Sequence, residues 1–162
     1  VPGAELMQRL CGLAELRGYR VFLYSDKEAV NRGAAEELMR RNPGLQIVGR
    51  QDGYLPEDQM GELVARINAV RPDLLFVAMG SPRQELWMQR WLPQLDVGIC
   101  QGIGGTLDTI VGTVKRAPVL FQKAGLEWFY RLASQPSRAK RQAKLPVFAA
   151  RVLAQKFRKG ES

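Results

Sequence analysis

Apolar and polar positions along the chain switch repeatedly between a helical and a strand period. From Ala4 to Arg17, the residues Leu6, Leu10, Leu13 and Ala14 recur at helical spacing, and Gly18 ends the pattern. Tyr19 to Tyr24 holds the short apolar run Val21-Phe22-Leu23 and predicts a strand. Ser25-Asp26 then reads as an N-cap for a helix to Arg41, with Val30, Ala34, Ala35 and Leu38 inward. Asn42-Pro43-Gly44 stops that helix, Leu45 to Gly49 predicts a second strand, and Gln51-Asp52-Gly53-Tyr54 predicts a turn. Pro56 sits where a helix can begin, and Met60, Leu63, Val64, Ile67 and Val70 keep its period toward Arg71. Leu74 to Met79 is apolar on both faces, as a central parallel strand must be. Gly80-Ser81-Pro82 follows, then a helix carrying Glu85, Leu86, Trp87, Arg90 and Trp91. Val97 to Cys100 reads as a buried strand that breaks into Gly102, Gly104 and Gly105, before a helix-like segment with Leu107, Ile110 and Val111 on one side.

Strand and helix alternate four times, which predicts an α/β fold: a Rossmann-like parallel sheet with helices on both faces. Ligands in such sheets gather at the carboxyl ends of the strands. Three strand ends are equipped for this: Tyr24-Ser25-Asp26, Gly80 to Glu85, and Gln101 to Gly105, the last two more strongly. Glycines at a strand exit let backbone N–H groups approach a ligand, and a helix start adds positive dipole, so the expected ligand is an anion, most often a phosphate. A tight turn alone would also explain the glycines. After Pro118 the composition shifts. Residues 1–118 form the predicted Rossmann-like core, and residues 119–162 a basic helical C-terminal appendage, with helical character from Leu120 to Ser134 and an amphipathic segment from Leu145 to Arg158.

Charge sharpens this division. The segment Lys115–Lys159 has twelve Lys/Arg against the single acid Glu127, a charge of +11, which leaves −3 for the rest of a chain whose net charge is +8. A basic tail on a near-neutral body suggests an anionic partner: lipid headgroups, nucleic acid or a diphosphate. A solvated basic helix is the plain alternative. The 162 residues suit one domain with a real core, and no apolar run approaches the roughly 20 residues of a membrane span. There is no histidine, which removes the usual general base and the common zinc ligand, so no metal site is expected. The two cysteines, Cys11 and Cys100, sit among apolar neighbours and fit reduced core thiols. Trp87 and Trp91 share a helix face and fit core positions better than ligand stacking.

Several motifs occur in one order along nearly the whole chain. They are Asn42-Pro-Gly-Leu45, Ile47-Val-Gly49, Gly53-Tyr54, Gly80-Ser-Pro-Arg-Gln-Glu85, and Gly102-Ile-Gly-Gly105 with Asp108 and Gly112. Arg116-Ala-Pro118, Gly125-Leu-Glu-Trp128 with Tyr130-Arg131, and Pro136-x-Arg138 continue the series. In this set the chain resembles the WecG/TagA/CpsF glycosyltransferases of bacterial cell-envelope polymers. The resemblance implies an inverting transfer of N-acetylmannosamine, or a related sugar, from a UDP-sugar to lipid-linked GlcNAc diphosphate on undecaprenol. That reaction is placed at the inner face of the cytoplasmic membrane, in polysaccharide or teichoic acid synthesis, with a peripheral enzyme and no cofactor beyond the UDP-sugar substrate. It also implies that the aspartate proposed as general base, and an arginine thought to meet the donor diphosphate, lie upstream of Val1. Little transfer is therefore expected from this chain as it stands. The family tends to have Gly-Gly where Tyr24-Ser25-Asp26 stands here.

Inverting transfer needs a base for the acceptor hydroxyl and groups that stabilise a departing diphosphate. The donor- and substrate-binding set implied here is Gly80, Pro82, Gln84, Glu85, Gly102, Gly104, Gly105, Asp108, Arg116, Glu127 and Arg131. Gln84 can hydrogen-bond a sugar or phosphate in a supporting catalytic role, or cap a helix. Glu85 and Asp108 can contact hydroxyls, or simply match a helix dipole. The Arg116 guanidinium fits phosphate oxygens, whereas Glu127 and Arg131, four apart, could pair with each other. Arg138, Arg141, Lys144 and Arg151 flank apolar residues, as in a helix lying in a membrane interface near the acceptor. A nucleic-acid role fits less well, because aromatics are not interleaved with the basic residues. A dehydrogenase fits less well because Gly102-x-Gly104-Gly105 does not continue as G-x-G-x-x-G. A non-catalytic nucleotide- or anion-binding domain is the stronger alternative. Self-association is left open.

Overall fold

A computed structural model describes residues 3–25 and 27–112. The chain divides into two compact units, Val1–Lys115 and Arg116–Ser162. All described residues belong to the first, so Arg116, Glu127, Arg131, Arg138, Arg141, Lys144 and Arg151 lie outside them.

The elements run α1 (Gly3–Arg17), β1 (Arg20–Ser25), α2 (Glu28–Arg41), β2 (Gln46–Asp52), a 3-10 turn (Glu57–Gln59), α3 (Met60–Val70), β3 (Leu74–Ala78), α4 (Arg83–Trp91), a second 3-10 turn (Leu92–Gln94), β4 (Ile99–Gly102) and α5 (Thr106–Ile110). The four strands form one all-parallel sheet in the order β2-β1-β3-β4. The expected α/β, Rossmann-like layout is therefore the fold of the described unit.

Side-chain alternation along the strands builds two cores. On one face Val21, Leu23, Leu74, Phe76 and Ala78 pack with Met7, Cys11 and Ala14 of α1, Ala34, Ala35 and Leu38 of α2, and Leu107 and Ile110 of α5. On the other face Phe22, Tyr24, Leu75, Val77 and Met79 pack with Met60, Leu63 and Ile67 of α3 and Trp87 of α4. All five residues of β3 are buried, as its apolar run requires.

Four local expectations are corrected. In α1 the inward stripe is Met7, Cys11 and Ala14, while Leu6 and Leu13 stay exposed. The two stripes are adjacent on the helix. Ser25 is the last residue of β1 and not a cap, because it pairs with both Asp52 and Ala78. The N-cap of α2 is Lys27, without a side-chain capping bond. Strand β2 runs on to Asp52, since Arg50, Gln51 and Asp52 find partners in Leu23, Tyr24 and Ser25 that outweigh local turn propensity. Strand β4 lies two residues later than expected, where Ile99 to Gly102 pair with Leu74 to Val77.

Trp87 is buried, and its ring lies 4.8 Å from that of Tyr24 at a 56° tilt. Trp91 is half-buried against the same core, with the Arg90 guanidinium 5.1 Å from its ring. Replacing Trp87 by Ala is expected to cost about 3–5 kcal/mol, the usual range for a large aromatic in a core. Urea denaturation checks this, and a loss under about 1 kcal/mol would contradict a core role.

Candidate functional site

The order β2-β1-β3-β4 fixes where a ligand can enter. The loop after β1 leads to α2 on one face, and the loop after β3 leads to α4 on the other. The two loops part at the carboxyl ends of β1 and β3, which makes this the switch point of the sheet. Gly80, with φ +74°, turns the chain from β3 toward α4, and the turn after β4 lies one strand further along.

Gln84 joins these two loops. It is buried in the first turn of α4. Its Oε1 accepts the N–H of Gly104 at 2.9 Å, and its Nε2 donates to Glu85 Oε1 at 2.8 Å. Gly102 makes room for it, because a Cβ there would stand 2.8 Å from Gln84 Nε2 and 3.1 Å from Met88 Cε. Gly104 has φ +55°, a conformation that favours glycine, so the turn can bring its N–H round to the carboxamide. The sequence suggested that Gln84 reaches for a ligand or caps a helix. In the structure its carboxamide is engaged at both ends within the protein and holds the 102–105 turn against α4.

The turn itself is tight. Ile103 N–H donates to Val77 O, Thr106 N–H to Ile103 O, and the Thr106 hydroxyl also donates to Ile103 O. Of the three glycines expected to offer amides to a ligand, Gly102, Gly104 and Gly105, the Gly104 amide is taken by Gln84, and no described group takes that of Gly105. The following helix α5 has five residues, so its dipole adds less than a long helix would. Asp108 is half-buried on it. Gly80, Gly102 and Gly105 are half-buried, while Pro82 and Glu85 are exposed. The structure thus gathers Gly80, Pro82, Gln84, Glu85, Gly102, Gly104, Gly105 and Asp108 along two neighbouring loops.

Sequence reasoning passed over Arg83, although it lies inside the quoted Gly80-to-Glu85 stretch. Its Nη2 donates to Gly53 O at 3.1 Å. Gly53 follows β2 and Arg83 follows β3, with β1 between them in the sheet, so this side chain crosses the end of β1 at the switch point. A guanidinium there gives the crevice a cation within the described residues.

A separate open cleft of about 580 Å³ runs along α4 and β4, lined by Glu85, Met88, Gln89, Leu92, Pro93 and Cys100. It meets the loops only at Glu85. Burial pushes the Cys100 thiol up to about 11, so it is protonated near neutral pH and is a poor nucleophile. Cys11 is also buried and free, and is shifted to about 11 for the same reason. Among the described residues no three His, Cys, Asp or Glu side chains come together as a metal-binding group. Among them, too, no helix is long and apolar enough to cross a membrane.

Replacing Gln84 by Ala is expected to release the Gly104 amide. Amide exchange followed by NMR should speed up at Gly104, and stability should fall by about 1–2 kcal/mol for a lost buried hydrogen bond. Unchanged exchange at Gly104 would contradict the positioning role.

The family model for the glycosyl transferase WecG/TagA/CpsF family matches residues 1–162. That match spans both the two loops joined by Gln84 and the basic C-terminal segment, and the chain belongs to the WecG/TagA/CpsF family of glycosyltransferases.

Proposed function

We propose that the protein transfers N-acetylmannosamine, or a related sugar, from a UDP-sugar to GlcNAc carried on undecaprenyl diphosphate, with inversion at the anomeric carbon. The observation that carries this reading is the joining of the Gly80–Gln84 loop to the Gly102–Gly105 turn through one carboxamide beside the switch point. A departing nucleoside diphosphate needs fixed donors aimed at the charge that develops on it. In this reading the Gly105 amide and the Arg83 guanidinium supply them, and the diphosphate contact expected of Arg116 lies outside the described residues. Glu85, steadied by Gln84 Nε2, and Asp108 offer carboxylate oxygens to the hydroxyls of the transferred sugar. The UDP-sugar is a substrate, and the reading requires no further cofactor.

Calorimetry on the 162-residue chain tests the donor half. UDP and a UDP-sugar are expected to bind and NAD is not. Binding of NAD without UDP would overturn the reading in favour of a dinucleotide domain. Transfer to a short-chain GlcNAc diphosphate lipid analogue tests the acceptor half.

The acceptor is membrane-borne, and in this reading Arg138, Arg141, Lys144 and Arg151 hold the protein on an anionic leaflet at the cytoplasmic side. Each such cation contributes about 1 kcal/mol near an anionic surface. The chain should therefore sediment with anionic liposomes and lose that property when shortened after Arg131. Undiminished sedimentation of the shortened chain would remove the membrane role from this segment.

A further inference from the structure

The flank of the sheet at β4 carries features that the ligand-binding loops do not use. Strand β4 is last in the order β2-β1-β3-β4, and among the described residues no strand pairs with its outer side. Ile99 N–H donates to Asp73 O and Ile103 N–H to Val77 O. Backbone alternation therefore turns Ile99, Gln101 and Ile103 toward β3, and leaves the N–H and C=O of Cys100 and Gly102 facing outward. The strand Ile-Cys-Gln-Gly has none of the usual guards of an edge: no charge, no proline and no bulge.

Both faces beside this edge are apolar. Ile99 is 47% exposed and pairs with Leu74, so it lies on the α1 face. On α1, Glu15 accepts the N–H of Gly44 at 2.9 Å, near the start of β2 on the far side of the sheet. At about 100° per residue, Glu15 stands about 80° to one side of the buried stripe, and Leu6, Leu10 and Leu13 stand about 60–120° to the other. The leucines therefore face the β4 side, where Leu6 is 40% and Leu13 42% exposed. On the opposite face, the open cleft lined by Met88, Leu92, Pro93 and Cys100 runs along the same edge. Strands of a parallel sheet are covered on both faces, so whatever completes this flank must bring a strand together with apolar cover on each side.

A second copy of the chain brings all three. A two-fold axis normal to the sheet at Gln101 pairs β4 antiparallel with its equivalent. Cys100 of each copy then exchanges both backbone hydrogen bonds with Gly102 of the other. The same axis sets leucine stripe toward leucine stripe on one face and cleft toward cleft on the other, as an isologous contact requires. The size also fits. The fifteen residues of α1 make the flank about 22 Å long. Its three layers of helix, sheet and helix make it about 30 Å tall, in the range of the roughly 800 Å² that a standard interface buries on each partner.

We propose that the protein forms a symmetric dimer in which the β4 strands of two copies join their sheets edge to edge, with Leu6, Leu10 and Leu13 closing over Ile99 on the α1 face. The strands of the two copies run in opposite directions, so the crevice between the loops after β1 and β3 stays clear of the interface. The dimer does not depend on the identity of the donor or the acceptor.

Sedimentation velocity on the 162-residue chain, from about 1 to 100 μM, tests this over the range expected of an interface near the lower standard size. The expected species at the upper end has twice the 18.2 kDa mass of one chain. Ile99→Lys places a charge on the edge and Leu13→Lys places one in the stripe; each should weaken the dimer at least about tenfold, because the charge is buried unpaired. Both positions are solvent-exposed in the single chain, and circular dichroism should show the fold unchanged. Leu86→Lys, 60% exposed on the side of α4 turned from the cleft, should leave the dimer as it is. By NMR, the Cys100 and Gly102 amides should exchange more slowly as the dimer forms. A chain that stays monomeric up to about 100 μM overturns the proposal and leaves the edge to a strand from elsewhere. A dimer that persists in both Ile99→Lys and Leu13→Lys, or that leaves the Cys100 and Gly102 amides unprotected, uses another surface and overturns it equally.

Discussion

One carboxamide ties the active end of this sheet together. Gln84 hydrogen-bonds the backbone of the turn after β4 from a helix that starts after β3, so two loops from different parts of the chain are joined. The contact is possible only because Gly102 has no side chain and Gly104 has a positive φ. It is held in place from below, since Trp87 and Met88 pack α4 onto the sheet one turn away. Core packing and site geometry are therefore the same problem here. Whatever loosens the seat of α4 also loosens the 102–105 turn.

The sheet order divides the remaining work. Loops leave β1 and β3 toward opposite faces, and the crevice between them is open to a ligand by topology rather than by any special side chain. Charge along that crevice is mixed: the β2 end carries Asp52 and the Arg50–Glu28 ion pair, and Arg83 crosses from the β3 side to Gly53 so that the two sides are stitched at the tip. The wide cleft beside Cys100 is lined mainly by apolar groups.

Much of the fold was legible because each strand and helix carries its own period. The run Leu74 to Ala78 could only be a buried strand, and the alternation of elements could only give a parallel sheet. What could not be read locally was anything decided by a partner distant in sequence. Ser25 and Asp52 looked like turn and cap residues, yet each joins a strand because the other is its neighbour. In α1 two adjacent apolar stripes competed, and it is Met7, Cys11 and Ala14 that pack on the sheet. The site followed the same rule. The glycines and Gln84 were visible as a cluster of strand-end residues, but the bond from Gln84 to Gly104 spans 20 residues and adds a supporting role that no local pattern shows. Arg83 did leave a signal, inside the Gly80-to-Glu85 stretch.

The central claim is that the carboxyl ends of neighbouring strands together hold a sugar nucleotide. Hydrogen exchange measured by mass spectrometry, with and without saturating UDP, reads this most directly. The account predicts slower exchange in the peptides spanning residues 50–54, 80–85 and 101–106, with α1 unchanged. Protection confined to the α4–β4 flank, or to any single one of those three segments, would contradict it.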